Sequence, residues 1–262
     1  MSASPSSVSF GFPVLIADIG GTNARFGLVE RPGEPHRELG TSPTGAHADP
    51  ITAIREVALA GLECTPRTAI LAIAAPIEGD LVRFTNSPWV IEPKRLVAEL
   101  GFTDVVVVND FEAQGLALPS LGGDDVVAIG GGTVHADATK LVVGPGTGLG
   151  VGVLVHSRGV WIPVPGEGGH VTFAPRGARE RAIVGLLAQD LGRVSAEHML
   201  NGAGLVRIHR AIRLIDGGPV EALGPAAVTA AALDGEPTAV EVMEIFAAAL
   251  GRFAGDMALV CL

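Results

Sequence analysis

Two stretches of this 262-residue chain share one construction: LIADIGGTNARFGLVE from Leu15 and LVVGPGTGLGVGVLV from Leu141. In each, a strand-forming run enters a glycine-rich turn and a second such run leaves it, which dictates an antiparallel pair. This excludes the two commonest phosphate-binding builds. The second stretch has glycines at 144, 146, 148, 150 and 152, so no G-x-G-x-x-G register exists. A strand follows the turn, so a pyrophosphate would find no helix N-terminus. No G-x-x-x-x-G-K-[ST] occurs anywhere. What remains is a hairpin whose peptide N–H groups can approach phosphate oxygens, because glycine carries no Cβ. An ordinary Gly-Gly hairpin accounts for either stretch alone. Two of them, one in each half of the chain, suggest a nucleotide clamped between domains.

Around the hairpins, short apolar runs alternate with helical patterns. Val14–Ala17, Arg25–Val29, Ala69–Ala74 and Val105–Val108 read as strands, with helices near Ile51–Ala60 and Pro93–Leu100. After a hinge at Leu121–Asp125 come expected strands at Val126–Ile129, Lys140–Val143, Gly150–His156 and Gly159–Val164, with a tight turn at Ser157-Arg158-Gly159. Helical patterns then cover Ala178–Leu191, Ser195–Leu200, Gly204–Leu214, Ala226–Leu233 and Thr238–Val260. The expectation is an α/β chain with mixed sheets and two domains, 1–120 and 121–262.

With 48% hydrophobic residues the chain can bury real cores, which excludes disorder. A net charge of −10 argues against nucleic acid or an anionic membrane as partner, so an anionic ligand must be held locally by amides, helix ends or a metal. Two cysteines, Cys64 and Cys261, support neither a disulfide framework nor a zinc site and fit a reducing cytoplasm. The N-terminal MSASPSSVSFGFP lacks the basic and apolar regions of a signal peptide and reads as a short tail. No apolar stretch approaches the roughly 20 residues that span a bilayer.

Several polar groups punctuate this frame. VVVVNDFEAQG ends a strand in Asn109-Asp110. Asp110 is either the cap of the next helix or a base at a cleft, and spacing alone favours the cap. Asp18 ends the first strand, where it could hold a hydrated Mg²⁺ near phosphates. In VPGEGGHVTFAP, Glu167 and His170 are three apart; the glycine pair between them argues against a helical metal pair and for a loop that hydrogen-bonds a hydroxylated ligand. In RVSAEHMLNGAG, Ser195 reads as an N-cap and Glu197 as a first-turn carboxylate favoured by the helix dipole. In the FTNSPWVIEP segment, Asn86 could meet a ligand, and Trp89 reads as a core plug.

Taken in order, DIGGTNARFGLV, APIEGDLVRFTNSPW, VVNDFEAQGLALP, GPGTGLGVGVLV, PGEGGHVTFAP and VSAEHMLNGAGL resemble the bacterial ATP-dependent glucokinases, over nearly the whole chain from Val14 to Leu262. The first motif alone would fit the wider sugar kinase–actin–Hsp70 superfamily. The resemblance implies two ribonuclease-H-like domains with ATP and D-glucose in the cleft between them. It makes Asp110 the general base for the 6-hydroxyl. It makes Asn109, Glu167, His170 and Glu197 contacts to the other sugar hydroxyls, beside which Asn86 is a further candidate sugar contact. It assigns Ala17, Asp18, Ile19, Gly20, Gly21, Thr22, Asn23, Gly146, Thr147 and Gly148 to the nucleotide, with Mg²⁺ held through water by Asp18. A homodimer is compatible with it. The family's pattern continues past Leu262 with a strand–turn segment and a returning helix, so the second domain is expected to be incomplete. A non-catalytic sugar-binding or regulatory fragment is therefore the competing expectation. A nicotinamide oxidoreductase rests only on glycine density.

Overall fold

Period-two burial organises the first part of the chain. In β1 (Val14–Ile19), Leu15, Ala17 and Ile19 are buried while Ile16 and Asp18 take the opposite face. The computed structural model describes residues 10–75, 77, 79, 81–84 and 87–261. These group into two compact units, the first ending at Ala113 and the second beginning at Gln114.

In the first unit β1 turns back into β2 (Asn23–Val29), which pairs with β3 (Arg37–Pro43). The expected helix from Ile51 starts as α1 (Pro50–Ala53), where Asp49 Oδ1 accepts the Thr52 N–H at 2.8 Å, and widens into π-helical turns over Ile54–Leu59. β4 (Thr68–Ile73) lies parallel to β1, and a short hairpin of β5 (Val82–Arg83) and β6 (Val90–Ile91) follows. α2 (Pro93–Leu100) starts on its proline and ends where Gly101 takes φ 79°, a conformation that costs glycine little. β7 (Asp104–Asn109) pairs parallel to β4 and runs directly into α3 (Asp110–Ala117). Among the described residues the sheet order is β3-β2-β1-β4-β7, a mixed sheet. Leu15, Ile19, Ile54, Leu71, Ile73, Ile91 and Leu96 are fully buried on one side of it, each worth about 1.5–3 kcal/mol of burial. Trp89 joins them at 2% exposure, its Nε1–H donating to the His47 carbonyl at 3.2 Å. The register sets Ile19, Ile73 and Asn109 level at the C-terminal ends of the parallel strands.

The second unit carries an antiparallel sheet, β10-β9-β8, from β8 (Lys140–Pro145), β9 (Leu149–Ser157) and β10 (Val160–Val164). Helices α4 (Gly177–Leu191), α5 (Ala196–Met199), α6 (Gly202–Ile215), α7 (Pro225–Leu233) and α8 (Pro237–Cys261) complete it. α6 buries Leu205, Ile208, Ala211 and Ile212, an apolar stripe at helical spacing, against a core that includes Ile183, Met199, Val242 and Phe253. One expectation fails. Val126–Ile129 is not a strand: no described strand pairs with it, and Val127 and Ile129 are 87% and 96% exposed. Four apolar residues between glycine clusters have strand propensity but pair with no described strand, and propensity without pairing does not hold a strand. Among the described residues no helix is long and apolar enough to cross a membrane.

Candidate active site

The first hairpin puts its turn at the C-terminal edge of the parallel strands. Gly20 N–H bonds Asn23 O at 2.9 Å to close the turn. Behind it, buried Thr44 takes two successive carbonyls: its Oγ1–H donates to Gly21 O at 2.8 Å and its N–H to Thr22 O at 2.9 Å. A trans peptide sets N–H opposite to C=O, so the amides of Thr22 and Asn23 point away from Thr44. Asp18, level with Arg25 across the hairpin, accepts from Arg25 Nη1 at 2.7 Å, and both side chains are more than half exposed. Ala17 and Ile19 turn their side chains into the core, so only their peptide groups can reach a nucleotide. Beside Asp18 and Arg25, a cavity of about 560 Å³ opens on the sheet face formed by Ile16, Ile70, Ala72 and Val108.

At the end of β7 the structure divides two tasks between neighbours. The Phe111 N–H is shared between Asn109 Oδ1 and Asp110 Oδ1, each at 2.9 Å, and Glu112 Oε2 accepts the Asn109 N–H at 3.3 Å. Glu112, three residues on, supplies the return half of a capping box, while Asn109 caps through the N2 amide. Asn109 therefore caps α3, and its Nδ2–H also donates to Ala75 O at 3.2 Å. Asp110 is the first helical residue and shares the helix-start amide with Asn109 through Oδ1 alone. Burial pushes its carboxyl above the ordinary aspartate range, the Phe111 N–H partly opposes this, and the nearby charge of Asp18 adds to the rise.

The second hairpin repeats the first arrangement with different parts. Gly146 N–H closes the turn on Gly148 O at 2.8 Å. Two successive carbonyls are again held from behind: Gly146 O by the Gly202 N–H at 3.0 Å, and Thr147 O by Asn201 Nδ2–H at 3.0 Å. The amides of Thr147 and Gly148 accordingly point away from α6. Glu197 Oε2 accepts the Leu149 N–H at 2.9 Å on the far shoulder of the turn. Its other oxygen lies 3.8 Å from His170 Nδ1, and His170 Nε2 lies 3.7 Å from Glu167 Oε2. Three side chains separated by up to 30 residues thus meet as carboxylate, imidazole and carboxylate, an array able to accept and donate across neighbouring hydroxyls. Gly169 makes the cluster compact, since a Cβ there would lie 2.1 Å from the Leu149 carbonyl. Arg193 Nη1 fixes the loop by donating to His170 O at 2.6 Å. Ser195 caps α5 as expected, exchanging bonds with His198.

Asn86, an expected sugar contact, lies outside the described residues. Among the described residues no cluster of three or more His, Cys, Asp or Glu side chains could hold a metal. A hydrated Mg²⁺ uses one or two carboxylates plus substrate phosphates, and the exposed Asp18, near enough to Asp110 to shift its proton affinity, fits that requirement. Sequence reasoning did not single out Thr44, Arg193 or Asn201. The bonds of Thr44 span 22 and 23 positions and leave no local signal, whereas Asn201 before a helical run is a readable cap.

The family model for glucokinase matches residues 15–262. A glucokinase of Sinorhizobium medicae strain WSM419 is 48% identical over 257 residues, covering 97% of this chain and 76% of that protein. The crystal structure of glucokinase from an Antarctic psychrotroph superposes with a TM-score of 0.85 at 29% identity, over 95% of this chain and 79% of that one. The Balamuthia mandrillaris glucokinase solved in complex with glucose shares the fold, with a TM-score of 0.68 at 22% identity over 97% of this chain and 78% of that one. With an α/β mixed sheet, two glycine hairpins and a matching family pattern over nearly its whole length, the chain belongs to the glucokinase family.

Proposed function

We propose that this chain transfers the γ-phosphoryl group of ATP to the 6-hydroxyl of D-glucose, giving glucose 6-phosphate and ADP for glycolysis. The observation that most supports the reading is the state of Asp110. It is a carboxylate that takes only a shared helix-start amide on one oxygen, at the strand ends where ligands of open α/β sheets bind, with its proton affinity raised by burial. As O6 attacks the γ-phosphorus, the O6–H proton passes to Asp110, the new O–P bond forms, and the bond to the β–γ bridging oxygen breaks. A raised pKa brings the base closer to the proton it must hold, a role worth roughly 10²–10⁴ in rate.

Glu167, His170 and Glu197 hydrogen-bond the remaining sugar hydroxyls, with Asn109 and Asn86 as further contacts. The outward amides of Thr22, Asn23, Thr147 and Gly148 donate to phosphate oxygens. Asp18 would hold Mg²⁺, and the ion would supply charge neutralisation at the phosphates. Phosphoryl transfer needs positioning and charge stabilisation more than covalent chemistry, and rigid peptide donors supply both.

A coupled ADP-release assay with glucose and MgATP tests the reading. Asp110→Ala is expected to lower turnover at least about a hundredfold, while calorimetry finds glucose affinity retained. Near-normal turnover would remove Asp110 from the mechanism. Chelation of Mg²⁺ by EDTA is expected to abolish turnover and leave glucose binding unchanged.

A further inference from the structure

Asn201 does more than a helix cap requires. It is 6% exposed and stands before α6, where its Oδ1 accepts the Gly204 N–H at 2.7 Å. That single bond completes the cap. Its Nδ2–H is nevertheless committed elsewhere, to the Thr147 carbonyl at the tip of the second hairpin, 3.0 Å away. The next residue, Gly202, gives its N–H to the Gly146 carbonyl. The start of α6 thus grips two successive peptide planes of the turn.

The grip has an orientation and an electrical consequence. Holding the carbonyls of Gly146 and Thr147 fixes the opposed N–H groups of Thr147 and Gly148. The N-terminal end of a 14-residue helix carries partial positive charge. Bonding that end to Gly146 O polarises the peptide group whose other end is the Thr147 N–H, and hydrogen bonds in such chains strengthen one another. On the opposite shoulder Glu197 holds the Leu149 N–H. One short segment, 197–202, therefore clamps the turn on both sides.

We infer that Asn201 is a positioning residue for the nucleotide-side turn, setting the donors of Thr147 and Gly148 through the Thr147 carbonyl. The inference rests on the phosphoryl-transfer reading above. Aspartate separates the two duties of this side chain. Asn201→Asp keeps the cap, which aspartate provides as well as asparagine and in a favourable dipole. It replaces the Nδ2–H donor with an oxygen that repels Thr147 O.

The experiment is calorimetry of a non-hydrolysable ATP analogue and of glucose on the whole chain, with thermal unfolding and steady-state kinetics alongside. Asn201→Asp is expected to lower the unfolding midpoint modestly through the lost Thr147 bond, to keep glucose affinity, to weaken analogue binding about tenfold, and to raise the KM for ATP in parallel. Asn201→Ser, which also caps but offers no amide donor, should show the same split. Analogue affinity unchanged in both variants makes Asn201 a cap only and overturns the inference with the phosphoryl-transfer reading intact. Loss of glucose and nucleotide affinity together in both variants also overturns it, as general disturbance. A wild-type chain that binds no nucleotide overturns the phosphoryl-transfer reading and this inference with it.

Discussion

Gly148→Ala offers a test in which the structure sets the magnitude. A Cβ at this position would lie 2.6 Å from Oε2 of Glu197, whereas ordinary contact begins at 3.4 Å. Neither Gly146 nor Gly148 has the left-handed backbone that demands glycine, so the effect is steric. The obstructing atom ends a flexible side chain, and relief comes from a shift of the carboxylate by about 0.8 Å rather than from backbone movement. That shift lengthens and weakens the 2.9 Å bond from Leu149 N–H, because the oxygen retreats from the added Cβ and the amide together. A hydrogen bond to a charged group is worth about 1.5–3 kcal/mol, and the part of it lost should appear as a lower urea midpoint. Misplacing a substrate-positioning carboxylate by nearly 1 Å costs about a hundredfold in kcat/KM for glucose. Gly146→Ala is the internal control for stability, since no atom lies within 4 Å of the added Cβ. If Gly148→Ala matches Gly146→Ala in urea midpoint and keeps the wild-type KM for glucose, the link between Glu197 and the turn is not functional.

Asp110→Asn should lose at least about a hundredfold in turnover yet gain stability at pH 7. The folded state raises the Asp110 pKa above its ordinary 3.8, so it binds more protons than the unfolded state between those two values. Stability therefore falls as pH rises through that window, and the variant's advantage should vanish in denaturation curves below it. Gly169→Ala places a Cβ 2.1 Å from a backbone carbonyl that cannot step aside, so its soluble yield and melting temperature should fall well below those of Gly148→Ala. Arg252→Ala removes the ion-pair partner of the buried Glu180, which takes 2.7 Å bonds from Arg252 on both oxygens but keeps the Arg176 N–H at 2.7 Å; chemical denaturation should register a loss of about 1.5–3 kcal/mol.

Much of this architecture is legible in the chain itself. Strands with period-two burial, helices that open on proline and close on glycine, and the two hairpins all follow from local residue chemistry. Val126–Ile129 was misread because pairing is a property of neighbours, and a propensity for strand says nothing of whether an edge is free. The ambiguity at Asn109-Asp110 could have been narrowed from spacing, because Asn109 and Glu112 stand at capping-box separation and assign the cap one residue earlier. The meeting of Glu167, His170 and Glu197 could be expected only through family resemblance, since no local pattern joins residue 170 to residue 197. Thr44 was beyond reach for the same reason. Side chains that hold a loop from behind act through long-range geometry, and any serine or threonine would look equally eligible.

The two clamped turns also bear on the entropy of ligand capture. In each, the peptide planes are immobilised by bonds formed during folding, to Thr44 in one and to Asn201 and Gly202 in the other. A free glycine loop would have to freeze its dihedrals at the moment of binding, at about 1–2 kcal/mol per residue. Here that ordering precedes the encounter, so an arriving triphosphate meets donors already set. The turns should consequently show restricted picosecond–nanosecond amide motion in the absence of any ligand, with little further stiffening when one binds.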